Sequence, residues 1–99
     1  MRVVVQKYGG SSVADLDKIA AVADRIAATV ADGTRVAAVV SAMGNTTNEL
    51  IALARAASDD PDRRELDMLI SVGERVTMAL LAMCLRDRGV QARSLTGSQ

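Results

Sequence analysis

Histidine, tryptophan and phenylalanine are absent from the 99 residues, and cysteine, proline and tyrosine occur once each. Without histidine and with one cysteine the usual zinc spacings cannot be assembled, and Cys84 has no partner for an internal disulfide. A reducing, cytoplasmic setting fits that usage. Twelve basic and twelve acidic side chains cancel, so no sequence-wide field draws the chain to nucleic acid or to an anionic membrane. No apolar run is read as approaching the ~20 residues of a membrane span. Met1-Arg2-Val3-Val4-Val5 is too short for a signal-peptide core. No internal repeat, low-complexity tract or Walker-type Gly-Lys-Ser/Thr pattern is found, which disfavours a P-loop ATPase.

What remains is 49% apolar with one aromatic residue, so the core must be built from Ala, Val, Leu, Ile and Met. That palette suits helices on a parallel sheet. The length supports one small domain, burying somewhat over about 60% of its unfolded surface.

Val3-Val4-Val5-Gln6-Lys7, stopped by Gly9-Gly10, reads as a strand buried on both faces. Leu16, Ile19, Ala20, Ala23, Ile26, Ala27 and Val30 recur at three- and four-residue steps, predicting an amphipathic helix from about Asp15 to Ala31 that ends at Gly33. Val36–Val40 repeats the strand pattern and breaks at Ser41-Ala42-Met43-Gly44. Thr46 as cap and Glu49 reaching back predict a capping box opening a helix to about Ala57. Asp60 as cap and Pro61 in the first turn predict a second helix to about Arg88, closed by Gly89. Val90–Leu95 alternates as a third strand. The order is that of a parallel α/β sheet with right-handed crossovers.

Ligands of such sheets bind outside the carboxyl ends of the strands. There the sequence places Lys7-Tyr8-Gly9-Gly10-Ser11-Ser12, Ser41-Ala42-Met43-Gly44 and Thr96-Gly97-Ser98-Gln99, each pairing glycine with hydroxyls. Glycine admits an anion close to backbone amides, and helix amino termini favour negative charge. Lys7 is either a compact cation for phosphoryl oxygens or a solvated strand-end lysine. Glu74 lies on a half-apolar helix face with Ser71, Ile70, Asp67, Thr77, Met78 and Leu81. It would meet a substrate ammonium, an active-site lysine, an intramolecular cation or solvent. Arg75 is expected to point elsewhere, since adjacent helical residues do not face each other. Gly73, inside a helix, marks close approach of another group. Thr47 could hold a carboxylate or be an exposed first-turn threonine, and Ser41 could be a site hydroxyl or a turn residue. Cys84 and the five methionines read as core.

Four segments carry a resemblance. Val5–Ser12 resembles the amino-terminal signature of aspartokinases, and Val40–Leu50 resembles the second loop of that family. Ser71-Val72-Gly73-Glu74-Arg75 is similar to its Ser-x-Gly-Glu-Arg helix, and Leu95–Gln99 to the turn after the next strand. Their order and spacing match over essentially all 99 residues.

The resemblance implies the αβα sandwich of the amino acid kinase (carbamate kinase-like) type, with residues 1–99 as its amino-terminal part. It implies ATP- and Mg2+-dependent phosphorylation of the side-chain carboxylate of L-aspartate to 4-phospho-L-aspartate, on the route to lysine, threonine and methionine. Lys7 would stabilise the transferring phosphoryl group; Tyr8, Gly9, Gly10 and Ser11 would cradle ATP phosphates with it. Ser41, Thr47 and Glu74 would hold aspartate, with Glu74 facing its ammonium, and no residue here is assigned as a metal ligand. The acidic catalytic partner, the arginine for the substrate α-carboxylate, the base pocket and the ACT domains are expected beyond Gln99. The expectation is therefore an inactive segment, joined in a homo-oligomer or with the rest of the enzyme. Two other readings stand beside it: an amino acid kinase for another carboxylate or phosphate acceptor, and a non-catalytic association module.

Overall fold

The computed structural model describes residues 2–96. Two parallel strands, β1 (Val3–Tyr8) and β2 (Arg35–Val40), are joined by a 3₁₀ turn (Gly10–Val13) and helix α1 (Leu16–Ala31). Helices α2 (Thr46–Ala57) and α3 (Arg63–Asp87) follow. The strands pair in the register Val3↔Arg35 to Tyr8↔Val40, the βαβ unit expected of a right-handed crossover.

The helix α1 forms where the apolar repeat predicts it. Asp15 caps it by accepting the Lys18 N–H at 2.9 Å, filling one of the unpaired donors of a first turn. Ile19, Val22, Ala23 and Ile26 form the buried stripe. Gly33, at φ 86°, takes the left-handed turn that stops the helix. That stripe meets Tyr8 and Val13 below and Leu81 and Leu85 of α3 beside it, with Val36 and Val40 packed on the cluster. At about 1.5–3 kcal/mol for each large apolar side chain taken from water, this cluster is the main stabilising contact of the segment. Arg88, at the end of α3, is tied to the middle of α1 through a 2.6 Å contact to Asp24. The hydrogen bond to that carboxylate raises the Arg88 pKa above its ordinary value.

Several details differ from the expectations. The strands are not buried on both faces: Val4, Gln6, Tyr8, Val36 and Val40 face the helices, while Val3 and Val5 are each 63% exposed and Val39 52%. Helices cover one face only among the described residues. Thr46 is the first residue of α2 and not its cap; Asn45 occupies that position without a side-chain bond, because the Thr46 methyl is turned against α3. Asp62, not Asp60, caps α3, accepting the Glu65 N–H at 3.1 Å, and Pro61 lies before the cap.

Residues 90–95 form no ladder. Val90 N–H returns to Leu85 O at 3.0 Å and Arg86 Nε donates to Ala92 O at 3.0 Å, which holds the segment to the end of α3. A cleft of about 750 Å³, lined by Val36, Ala38, Val40, Leu81 and Leu95 among others, separates it from β2. Strand pairing needs a neighbour at about 4.8 Å, and the cleft denies it one. The motif expected in Gly97–Gln99 lies outside the described residues.

By length and composition α3 could cross a membrane, contrary to the expectation of no such run. Its Leu81 and Leu85 are seated in the core, however, and Glu74-Arg75 stands in its middle, where hydrocarbon would cost several kcal/mol for each charge. It is read as a core helix of the α/β fold.

Candidate active site

The first loop leaves β1 at Lys7 and Tyr8. The Tyr8 ring is buried and its hydroxyl donates to Gln6 Oε1 at 2.7 Å, so its side chain anchors the loop from inside and only its backbone can face a ligand. Alternation then puts Lys7 on the opposite, exposed face. Val13, fully buried, pins the far end of the 3₁₀ turn. Between these anchors lie Gly9, Gly10 and Ser11. The leading N–H groups of a helical turn have no partner within it. A Cβ on Gly9 would meet nothing within 4 Å.

Gly10 is packed differently. A Cβ there would sit 3.1 Å from both the Ala42 and Gly44 carbonyl oxygens. Gly44 N–H donates to Gly10 O at 3.0 Å, and Ser41 N–H to Tyr8 O at 3.1 Å. The first two loops are therefore stitched along their backbones. Gly44 supplies the left-handed residue, φ 51°, that turns the second loop toward α2.

Helix α3 closes the other side of that loop. At Gly73 a Cβ would fall 2.7 Å from Ala42 Cβ and 3.3 Å from Thr46 Cγ2, so the close approach expected at this glycine is real. Ser41 and Thr47, both half-buried, flank this contact on the loop, and Glu74 follows it on the helix.

The Glu74 carboxylate is exposed, so burial imposes no need for an intramolecular partner. It borders a cleft of about 350 Å³ with Val40, Ser71, Arg75, Met78 and Thr96. Arg75 thus shares the cleft, against the expectation that it points away. Residues 71, 74, 75 and 78 stand at i, i+3, i+4 and i+7, and positions i+3 and i+4 both border one helical face. Ser41 and Thr47 do not line this cleft. Among the described residues no hydrogen bond or ion pair joins Lys7 to Glu74, and no group of three carboxylates or thiols converges as a metal site. Cys84 is half-buried and packed on the core.

The profile of the amino acid kinase family matches residues 2–99. The chain is 57% identical over all 99 residues to the aspartokinase of Mycolicibacterium smegmatis and 56% identical to that of Mycobacterium tuberculosis. It spans 24% of the length of each. A crystal structure of aspartate kinase from Synechocystis superposes with a TM-score of 0.94 at 49% identity, covering 98% of this chain and 17% of that one. The match falls on the amino-terminal part of the aspartokinases. The chain, an incomplete α/β unit with the geometry of that enzyme's opening segment, belongs to the amino acid kinase family.

Proposed function

We propose that these residues form the phosphate-binding loop and one wall of the acceptor pocket of an aspartate kinase, which transfers the terminal phosphoryl group of ATP to the side-chain carboxylate of L-aspartate. The observation that carries this reading is the double seam on the second loop, to Gly10 on one side and Gly73 on the other. It brings the Lys7 loop, the chain at Ser41 and Thr47 and the Glu74 helix to the carboxyl ends of β1 and β2.

Each group has a physical task there. Lys7 stands exposed beside a glycine loop whose outer space is open at Gly9, and that suits a polyphosphate with its magnesium. ATP supplies the phosphoryl group and Mg2+ shields its charge; Lys7 would neutralise oxygens that gain charge during transfer, and the Gly9, Gly10 and Ser11 backbone would orient them. Ser41 and Thr47 would donate to a substrate carboxylate, and Glu74 would accept from the ammonium. The open valine face of the sheet supports the companion proposal that the remainder of the enzyme covers it. Buried parallel strands read as near-continuous apolar runs, as Val3–Val5 and Val36–Val40 do. A cytoplasmic enzyme of amino-acid biosynthesis is the setting proposed.

The test joins residues 1–99 to the remainder of the M. smegmatis aspartokinase, of which they match 24%. Aspartate-dependent ADP release is expected from the joined polypeptide and none from residues 1–99 alone. Lys7→Ala should lower kcat about 100- to 1,000-fold, the size found for loss of one preorganised electrostatic donor. Unchanged kcat would refute the role given to Lys7. A preference for another acceptor would support the alternative, another amino acid kinase.

A further inference from the structure

We infer that Gly73 is a positioning residue for the acceptor site: its lack of a side chain lets α3 close on the second loop and so sets the spacing of Ser41, Thr47 and Glu74. The inference rests on the proposed aspartate site and adds to it a residue that touches no substrate.

The geometry leaves little alternative room. A Cβ at Gly73 would stand 2.7 Å from Ala42 Cβ and 3.3 Å from Thr46 Cγ2, whereas carbon atoms rest about 3.5–4.0 Å apart. Relief requires separating helix and loop by about 1 Å. The nearer obstructing atom cannot swing aside, and the other belongs to a β-branched side chain with few rotamers. Ala42 is 3% exposed and its Cβ is fixed to the backbone, while Thr46, as the first residue of α2, is held by its N–H on Met43 O at 2.9 Å. The loop is also braced from behind, since Ala42 O and Gly44 O already lie against Gly10. The Gly73 carbonyl is also engaged, because buried Thr77 donates its hydroxyl to it at 3.1 Å.

Each residue of the contact is the chain neighbour of a site residue. Ala42 follows Ser41, Thr46 precedes Thr47 and Gly73 precedes Glu74. An opening at the contact is therefore passed directly to all three groups proposed to hold aspartate. Lys7 and Gly9 lie across the sheet end, on the far side of the Gly10 seam, and neither is among the atoms nearest the Gly73 contact. A displacement near 1 Å suffices to cost about 100-fold in a constellation of this kind. Glycine is disfavoured in a helix interior; here it is required by the approach of the loop.

The experiment measures steady-state kinetics of Gly73→Ala in the joined polypeptide. KM for aspartate should rise about 10- to 100-fold while KM for ATP stays at the parent value. Adding Ala42→Gly removes the atom 2.7 Å from the new methyl and should restore most of the aspartate KM. A role in stability alone would lower kcat or yield without separating the two KM values. Equal rises in both KM values, or no response to Ala42→Gly, would overturn the inference. Should Gly73→Ala not fold, Ala42→Ser, which thickens the facing side of the same contact by one atom, takes its place under the same criteria. Ser41→Ala and Glu74→Gln serve as references. If neither alters the aspartate KM, the reading of the site fails; if they raise it and Gly73→Ala does not, the positioning role fails.

Discussion

Gly9 and Gly10 are adjacent and chemically identical, yet the structure assigns them opposite responses to the same substitution. Gly9 has φ −75° and ψ 173°, a conformation open to any residue, and a Cβ there meets nothing within 4 Å. Gly9→Ala should therefore stabilise the fold by about 0.4–1 kcal/mol through the entropy it removes from the unfolded chain. Gly10→Ala gains a similar amount but drives a methyl to 3.1 Å from two carbonyl oxygens. Overpacking of that order costs about 1–3 kcal/mol. The carbonyls cannot retreat freely, because the loop carrying them is bonded back to Gly10 O and Tyr8 O. The net for Gly10→Ala is a loss of about 1 kcal/mol, and the two variants should stand about 2 kcal/mol apart.

In urea that gap reads as a lower unfolding midpoint for Gly10→Ala than for Gly9→Ala, by the gap divided by the measured m value. Function should divide the other way. The new methyl of Gly9→Ala occupies the space proposed for phosphate oxygens, so KM for ATP should rise about tenfold or more in a protein of undiminished stability, a change of about 1.4 kcal/mol. Urea unfolding and ATP kinetics of the two variants, made in the joined polypeptide, decide the matter. Equal midpoints would refute the packing argument, and an unchanged KM for ATP in Gly9→Ala would refute the phosphate cradle.

Val5→Asp tests coverage of the open sheet face. Val5 is 63% exposed within this segment, so if nothing covers it the change should shift the stability of the joined polypeptide by no more than about 0.5 kcal/mol; burial beneath the remainder of the enzyme should make the loss about 3 kcal/mol or more, read from the urea midpoint. Asp24→Asn removes the partner of Arg88, whose side chain is 30% exposed against 71% for Asp24. Screening at such a surface makes the effect small and salt-dependent, so melting temperatures of parent and variant should converge as ionic strength rises, and a gap that persists in high salt would contradict a surface ion pair.

What the sequence made legible was whatever local periodicity determines. The helix α1 follows from its apolar repeat, and β1 and β2 from apolar runs broken by glycine-containing loops. The errors fall where the outcome depends on a lateral partner. Residues 90–95 alternate like a strand, and Val90 and Ala92 do pack on the core, but a strand exists only when another accepts its hydrogen bonds. The cleft beside β2 withholds that neighbour. The same reason exposes Val3, Val5 and Val39, whose pattern reads as two-sided burial in a sheet that has helices on one side. At α3, two aspartates flank Pro61 and both satisfy the cap pattern; the chain uses Asp62, a choice that spacing alone leaves open.

The candidate site shows the same division more sharply. Glycine at strand ends announced the loops, and the hydroxyls and charges beside them announced an anion-binding chemistry. Which glycine serves a ligand and which serves packing is invisible in one dimension. Gly9 faces open space, whereas Gly10 and Gly73 face backbone carbonyls and a buried alanine. Thr46 illustrates how such contacts override local rules: its place ahead of Glu49 favours a capping hydroxyl, but the space opened by Gly73 takes its methyl, and the helix begins one residue earlier with Asn45 as an unbonded cap. Replacing Gly73 should thus disturb the start of α2 as well as the pocket. The cap pattern at Thr46 was misleading for the same physical reason that Gly73 matters, since both are consequences of one helix pressed against one loop.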